Sequence, residues 1–138
     1  SVHCSPQGRA QRTEEIALDG LDASFRSEDR LREISAGSWD GAFLDDIERD
    51  NAPLFEQARN AFELMFLAPD GEGELSVLKR CRSFLGELTG VSVLVTHGAT
   101  LCVLRGVLRG LSFDEMLDLD HEQGCIYAIQ NGKEVILR

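Results

Sequence analysis

Apolar residues recur at helical spacing through much of the chain. Between residues 53 and 66, apolar side chains return every three or four positions, which is typical of an amphipathic helix. The same criterion predicts further helices over residues 6–18, 42–49, 74–88, 99–110 and 112–117. Ser5 and Pro6 mark the start of the first helix, because serine favours the N-cap and proline the first helical position. Ala10, Thr13, Ile16 and Ala17 are then expected to face inward.

Strand patterns occupy four shorter stretches. Residues 91–96 are β-branched and almost entirely apolar, which fits a strand covered on both faces of a sheet. Residues 2–4 predict another strand, and residues 126–130 and 134–137 alternate around Asn131-Gly132, a strong hairpin pattern. Residues 20–30 and 32–41 are predicted to be connecting chain. The order of elements predicts one α/β domain over residues 1–138, a three-layer α/β/α sandwich with a mainly parallel sheet.

Composition narrows the possible partners. The 138 residues carry a formal net charge of −10, and 43% of them are hydrophobic, as in an ordinary globular domain. The acidic balance repels phosphate backbones and anionic lipid, so we expect neither nucleic acid nor a membrane as a partner. No apolar run approaches the roughly 20 residues of a membrane span. An anionic small-molecule ligand would require arginines gathered locally.

The four cysteines are widely spaced at positions 4, 81, 102 and 125. Without close pairs and nearby histidine they do not form a zinc motif, and we expect neither a metal nor a cofactor. Free cysteine behaves as a small buried hydrophobe, which suits a reducing, cytoplasmic compartment. A thiol-dependent redox function would rest on these four residues alone.

The segment VSVLVTHGAT, residues 91–100, is the most informative unit for function. A predicted buried strand ends at His97-Gly98, and a helix begins directly after it. Ligands of α/β sheets bind beyond the carboxyl ends of strands, and a helix N-terminus with a glycine favours an anion. A histidine in that turn can exchange protons with phosphate, or it can simply cap a packed turn. His3 and His121 stand in no motif, and His121 is predicted to be a surface residue.

Two arginines and one glutamate add to this candidate site. Arg9 and Arg12 fall in the first turns of a predicted helix, where the dipole disfavours cations unless they bind an anion. Alternatively they are solvated, or paired with a neighbouring acid such as Glu14 or Glu15. Glu33 could donate a proton in a partly apolar site, or form an ordinary ion pair.

Four segments together resemble the histidine phosphatase superfamily, the phosphoglycerate-mutase-like proteins. They are SPQGRAQRT (5–13), RLREISAGSWDG (30–41), APDGEGE (68–74) and VLVTHGAT (93–100). The resemblance implies that Arg9 and His97 bind the phosphoryl group with the backbone near Gly98, and that Glu33 is the general acid. It further implies attack by another histidine on a phosphate monoester, a phosphohistidine intermediate and no metal requirement. Phosphoglycerate mutases of the family tend to carry extra chain between the segments that correspond to Glu33 and His97. This sequence lacks that insertion, so its layout resembles the phosphatase branch.

One family motif is absent from the sequence. The nucleophile belongs to an Arg-His-Gly motif on a strand before the SPQGRAQRT segment, and no such motif occurs here. We therefore expect a longer chain with the nucleophile upstream, and no turnover by these 138 residues alone. The alternatives are a shortened protein that completes its sheet as a homodimer, and an inactive relic. Functionally, a non-catalytic anion-binding or scaffold protein and a phosphoglycerate-mutase-type phosphotransferase remain the competing interpretations.

Overall fold

The computed structural model describes residues 1–138, which fall into two compact units. The first unit comprises Ser1–Glu33 and Leu78–Arg138, and the second comprises Ile34–Val77. All three residues with predicted catalytic roles belong to the first unit.

A parallel three-stranded sheet forms the centre of the first unit. Strand β1 (Val2–Cys4) lies between β2 (Phe25–Ser27) and β3 (Val93–Val95), and Val2 is in register with Phe25 and Val93. Every residue of β1 is buried, because it has a strand on each side. The α/β class with a parallel sheet is therefore confirmed.

The helices of this unit follow the strands. Helix α1 (Gly8–Ala17) comes after β1, and α6 (Gly98–Arg109) comes after β3. Helix α5 (Gly73–Glu87) enters the first unit at Leu78, and α7 (Phe113–Leu117) follows α6. The most deeply buried side chains of the unit include Val2 of β1, Leu31, Phe84 of α5, Val103 of α6 and Met116 of α7.

A second, antiparallel sheet closes the chain. Strands β4 (Ile126–Gln130) and β5 (Lys133–Leu137) pair from Ile126 opposite Leu137 to Gln130 opposite Lys133. Asn131 has φ 50° and Gly132 has φ 74°, as a type I′ turn requires. The predicted hairpin is confirmed.

The second unit consists mainly of short helices. They are α2 (Leu44–Asp50), α3 (Ala52–Gln57) and α4 (Ala61–Leu67), followed by the first turn of α5. The single helix predicted over residues 53–66 is wrong. The backbone turns extended at Ala58, and the Asn60 side chain caps a new helix by accepting a hydrogen bond from the backbone N–H of Glu63.

Other local predictions also differ from the structure. Residues 20–30 contain β2, whose three residues are all exposed and so show no alternating pattern. Helix α1 begins at Gly8 with Gln7 as N-cap, and only Ala10 of its predicted inward residues is buried. Strand β3 is shorter than predicted, and Val93 is partly exposed rather than covered on both faces.

None of the helices is both long and apolar enough to cross a membrane. All four cysteines are free thiols, and Cys4, Cys81 and Cys102 are buried.

Candidate active site

The turn between β3 and α6 places His97 at the N-terminus of a helix. His97 is the extended N-cap residue of α6, and its carbonyl accepts the backbone N–H of Leu101 at 2.7 Å. Only 7% of its surface is exposed. The first N–H groups of α6 therefore lie directly beside a buried imidazole, where the helix dipole favours negative charge.

Both ring nitrogens of His97 have side-chain partners. Nε of Arg9 donates to Nδ1 of His97 at 2.9 Å, and Nε2 lies 2.8 Å from the buried hydroxyl of Ser5. A guanidinium can only donate, so Nδ1 must be the acceptor and the proton of the neutral ring is on Nε2. Nε2 then donates to Ser5 Oγ. The two contacts fix both the orientation and the tautomer of the ring.

The surroundings of His97 keep its imidazole neutral. Burial is the largest cause of a lowered pKa for His97, and the positive charge of Arg9 adds to it, whereas Glu33 raises it. Arg80 lowers the pKa of His97 further. Its guanidinium donates to the Arg30 carbonyl at 2.6 Å and to Thr100 Oγ1 at 3.3 Å.

Glu33 lies at the same helix terminus. Its Oε1 accepts the backbone N–H of Thr100 at 3.0 Å, and its Oε2 accepts that of Ala99 at 3.3 Å. The backbone N–H of Glu33 donates to the side-chain oxygen of Gln7 at 3.0 Å, which ties this residue to the start of α1. The carboxylate therefore caps α6 in its first turn, which begins directly after His97.

The structure thus places Arg9, Glu33, His97 and Gly98 around one helix terminus, but it leaves Arg12 outside. Arg12 forms an exposed ion pair with Glu15 at 2.9 Å. The interpretation of Arg12 as a residue paired with a neighbouring acid is the one that the structure shows.

Two site residues were missed by sequence reasoning. The sequence predicts Ser5 as a helix cap, whereas its hydroxyl contacts His97 and accepts the backbone N–H of Gln7 at 3.3 Å. His121 is exposed, as the sequence predicts, and its ring lies against Gly98. A Cβ on Gly98 would lie 3.2 Å from Cδ2 of His121. No periodic pattern could reveal either contact, because both join residues distant in sequence.

The structure contains no group of three or more histidine, cysteine, aspartate or glutamate side chains arranged to hold a metal ion.

Comparison with known families identifies the class of protein. Residues 1–136 match the model of the histidine phosphatase superfamily (branch 1). The chain belongs to this superfamily, as the four sequence segments had suggested.

Individual relatives show how far the similarity extends. A Hydrogenobacter thermophilus protein provisionally named phosphoserine phosphatase 2 is 26% identical over 133 residues, covering 93% of this chain and 64% of that protein. The structure of Bacillus stearothermophilus YhfR superposes with a TM-score of 0.74 at 28% identity, covering 99% of this chain and 71% of that one. The mycobacterial glucosyl-3-phosphoglycerate phosphatase gives a TM-score of 0.68 at 25% identity, covering 86% of this chain and 62% of that one.

The chain spans only part of its curated relatives. It covers 13% of the length of one of them and 64% of another.

Proposed function

We propose that this chain is the phosphate-binding part of a phosphomonoester hydrolase that works through a phosphohistidine. The observation that carries the proposal is the hydrogen-bonded pair of Arg9 and His97 at the N-terminus of α6. A guanidinium, an imidazole and the N-terminus of a helix offer N–H donors complementary to a phosphoryl group, whose oxygens then replace the contacts that these groups make with one another and with Glu33. The superfamily and the phosphatases among the relatives support the same activity.

Each residue has a defined part in this proposal. Arg9, the backbone N–H of Gly98, and His97 with a proton on Nδ1 in place of the bond from Arg9, bind the phosphoryl oxygens and stabilise the charge that develops on them during transfer. Glu33 gives a proton to the oxygen of the departing alcohol. To do so its carboxyl group must leave the N–H groups of Ala99 and Thr100, which then become available to the phosphoryl oxygens.

The nucleophile is a histidine of an Arg-His-Gly motif upstream of Ser1. Its ring nitrogen forms a bond to phosphorus while the bond from phosphorus to the ester oxygen breaks, and Glu33 protonates that oxygen. Water then attacks the phosphohistidine and gives a proton to the Glu33 carboxylate. The bond from phosphorus to the ring nitrogen breaks, which releases inorganic phosphate and restores both the histidine and the protonated Glu33. The sheet topology supports an additional strand that carries this motif. Strand β3 is at the edge of its sheet, where its free side can pair with such a strand, and β4–β5 form a separate sheet.

The remaining parts of the proposal concern the substrate and the surroundings of the protein. The partner is a phosphorylated small molecule, and the reaction requires no divalent cation. Four free thiols support a reducing, cytoplasmic compartment.

The test is hydrolysis of p-nitrophenyl phosphate by the chain extended with its native upstream sequence, in the presence of EDTA. Turnover is expected, and it should fall at least about 100-fold in Arg9→Met but not in the matched control Arg12→Met. Binding of inorganic phosphate without turnover would support the non-catalytic alternative. A requirement for a divalent ion would contradict the phosphohistidine mechanism.

A further inference from the structure

His121 lies beside the proposed phosphate site. It belongs to the segment between α7 and β4, and its ring is exposed. Its Cδ2 atom lies so close to Gly98 that a Cβ at residue 98 would be only 3.2 Å away. Real side chains rarely pack more tightly, so the glycine at the start of α6 allows this approach of the imidazole.

Helix α6 itself holds the segment that carries His121. The buried Cys102 thiol donates to the Leu119 carbonyl at 3.6 Å, and Nη1 of the buried Arg105 donates to the Asp120 carbonyl. The two residues immediately before His121 are therefore anchored on the helix whose N-terminus forms the site. The position of the imidazole is set by these contacts rather than by the course of an unattached loop.

Arg105 is in turn fixed by the C-terminal hairpin. Its guanidinium forms two hydrogen bonds with the Glu134 carboxylate, at 2.7 and 2.8 Å, and lies 3.8 Å above the ring of Tyr127. A continuous set of contacts thus runs from β5 through Arg105 to the backbone beside His121. A side chain that contacts substrate needs supporting contacts of this kind to hold it in a fixed position.

We propose that His121 contacts the alcohol portion of the phosphate ester bound at the N-terminus of α6. The inference rests on the proposed function and deepens it. A phosphoryl group held by the Gly98 N–H and His97 places its ester oxygen and the atoms beyond it at the rim of the site, where the His121 ring lies. An imidazole can both donate and accept a hydrogen bond, so it fits an alcohol portion that carries further hydroxyl groups. The residue would set substrate specificity without taking part in the transfer.

The test compares His121→Ala with Gln123→Ala, a change at an exposed residue of the same segment, in the chain carrying its native upstream sequence. For glycerol 2-phosphate, whose alcohol portion carries two free hydroxyl groups, His121→Ala should raise KM about tenfold at unchanged kcat, the effect of losing one hydrogen bond. The Kd for inorganic phosphate should stay constant, because phosphate lacks the alcohol portion. His121→Gln should restore part of the affinity, which a merely structural role would not predict.

The outcomes separate this inference from the proposed function. Equal KM values for His121→Ala and Gln123→Ala, or a parallel loss of inorganic phosphate binding, would overturn the role of His121. If the wild-type protein binds phosphate but shows no turnover, the proposed hydrolase is wrong. The Kd values for glycerol 2-phosphate and inorganic phosphate then test His121 directly. His121→Ala should weaken only the binding of the ester, and equal effects on both would overturn the inference.

Discussion

Nε of Arg9 and Nδ1 of His97 lie 2.9 Å apart, in a hydrogen bond that joins α1 to the turn before α6. The bond explains a position that is otherwise unfavourable, since Arg9 is in the first turn of a helix, where the dipole disfavours a cation. It also determines which nitrogen of His97 carries the proton.

Removing the guanidinium should raise the pKa of His97. In Arg9→Met the aliphatic part of the side chain remains, but the positive charge and the donor to Nδ1 are gone. Burial still lowers the pKa of His97, so it should rise toward its ordinary value without reaching it. Titration of the histidine ring resonances by NMR measures the change. Arg12→Met should leave the pKa of His97 as it is, and a lower pKa in Arg9→Met would contradict this account.

Removing the Ser5 hydroxyl should destabilise the native state. Ser5 is fully buried, and its loss in Ser5→Ala leaves Nε2–H of His97 without its acceptor. An unsatisfied buried donor costs about 1–3 kcal/mol of unfolding free energy, which urea denaturation measures. Ser92→Ala is the matched control, because that hydroxyl forms its bond to Ser1 at the surface. A loss no greater than the control's would show that the contact contributes little.

The Arg105–Glu134 pair should contribute far more to stability than the exposed Arg12–Glu15 pair. Arg105 is only 3% exposed, so Glu134→Ala leaves a buried charge unpaired and should cost about 3 kcal/mol. Glu15→Ala should cost less than about 1 kcal/mol, because water screens its partner. Unfolding in urea compares the two variants, and similar losses would mean that the buried pair is not the support that we infer.

Stability should fall as the pH drops below about 6.5, the ordinary pKa of histidine. His3 and His97 both have lowered pKa values, chiefly because of burial, so the unfolded chain binds protons before the native state does. The loss should grow until the pH reaches the native pKa values. Thermal unfolding between pH 7.5 and 5 measures it.

Replacing the buried histidines checks the cause of this pH dependence. His97→Gln and His3→Gln should each flatten the fall of the melting temperature between pH 7.5 and 5, whereas Gln123→Ala, at an exposed residue that does not titrate, should leave it unchanged. An equally steep dependence in all three variants would assign the effect to other groups.

The elements that the sequence predicts well are those with a strong local pattern. Helix α6 and the β4–β5 hairpin are placed almost to the residue, since one has leucines recurring at helical spacing and the other has Asn-Gly between alternating strands. Strand β2 escapes prediction because its three residues are exposed and only their pairing with β1 makes them a strand. The break at Ala58 escapes because apolar spacing continues across it and the competing cap at Asn60 is a single side chain.

The site residues also divide into those that a local sequence pattern marks and those that only contacts in space bring to the site. His97 before a glycine at the end of an apolar strand can be identified from order alone, and so can Arg9 in its family segment. The contact of Glu33 with the N–H groups of α6 and that of His121 with Gly98 depend on chain segments meeting in space. No spacing in the sequence encodes those contacts.

The most direct test of the account is a crystal structure of the protein with tungstate, a tetrahedral oxyanion that mimics phosphate. The anion should lie within hydrogen-bonding distance of the Arg9 guanidinium, the His97 ring and the Gly98 N–H, with the Glu33 carboxylate displaced from the helix terminus. Tungstate bound elsewhere, with the Arg9–His97 bond and the Glu33 cap unchanged, would contradict the central claim that this helix terminus is the phosphoryl site.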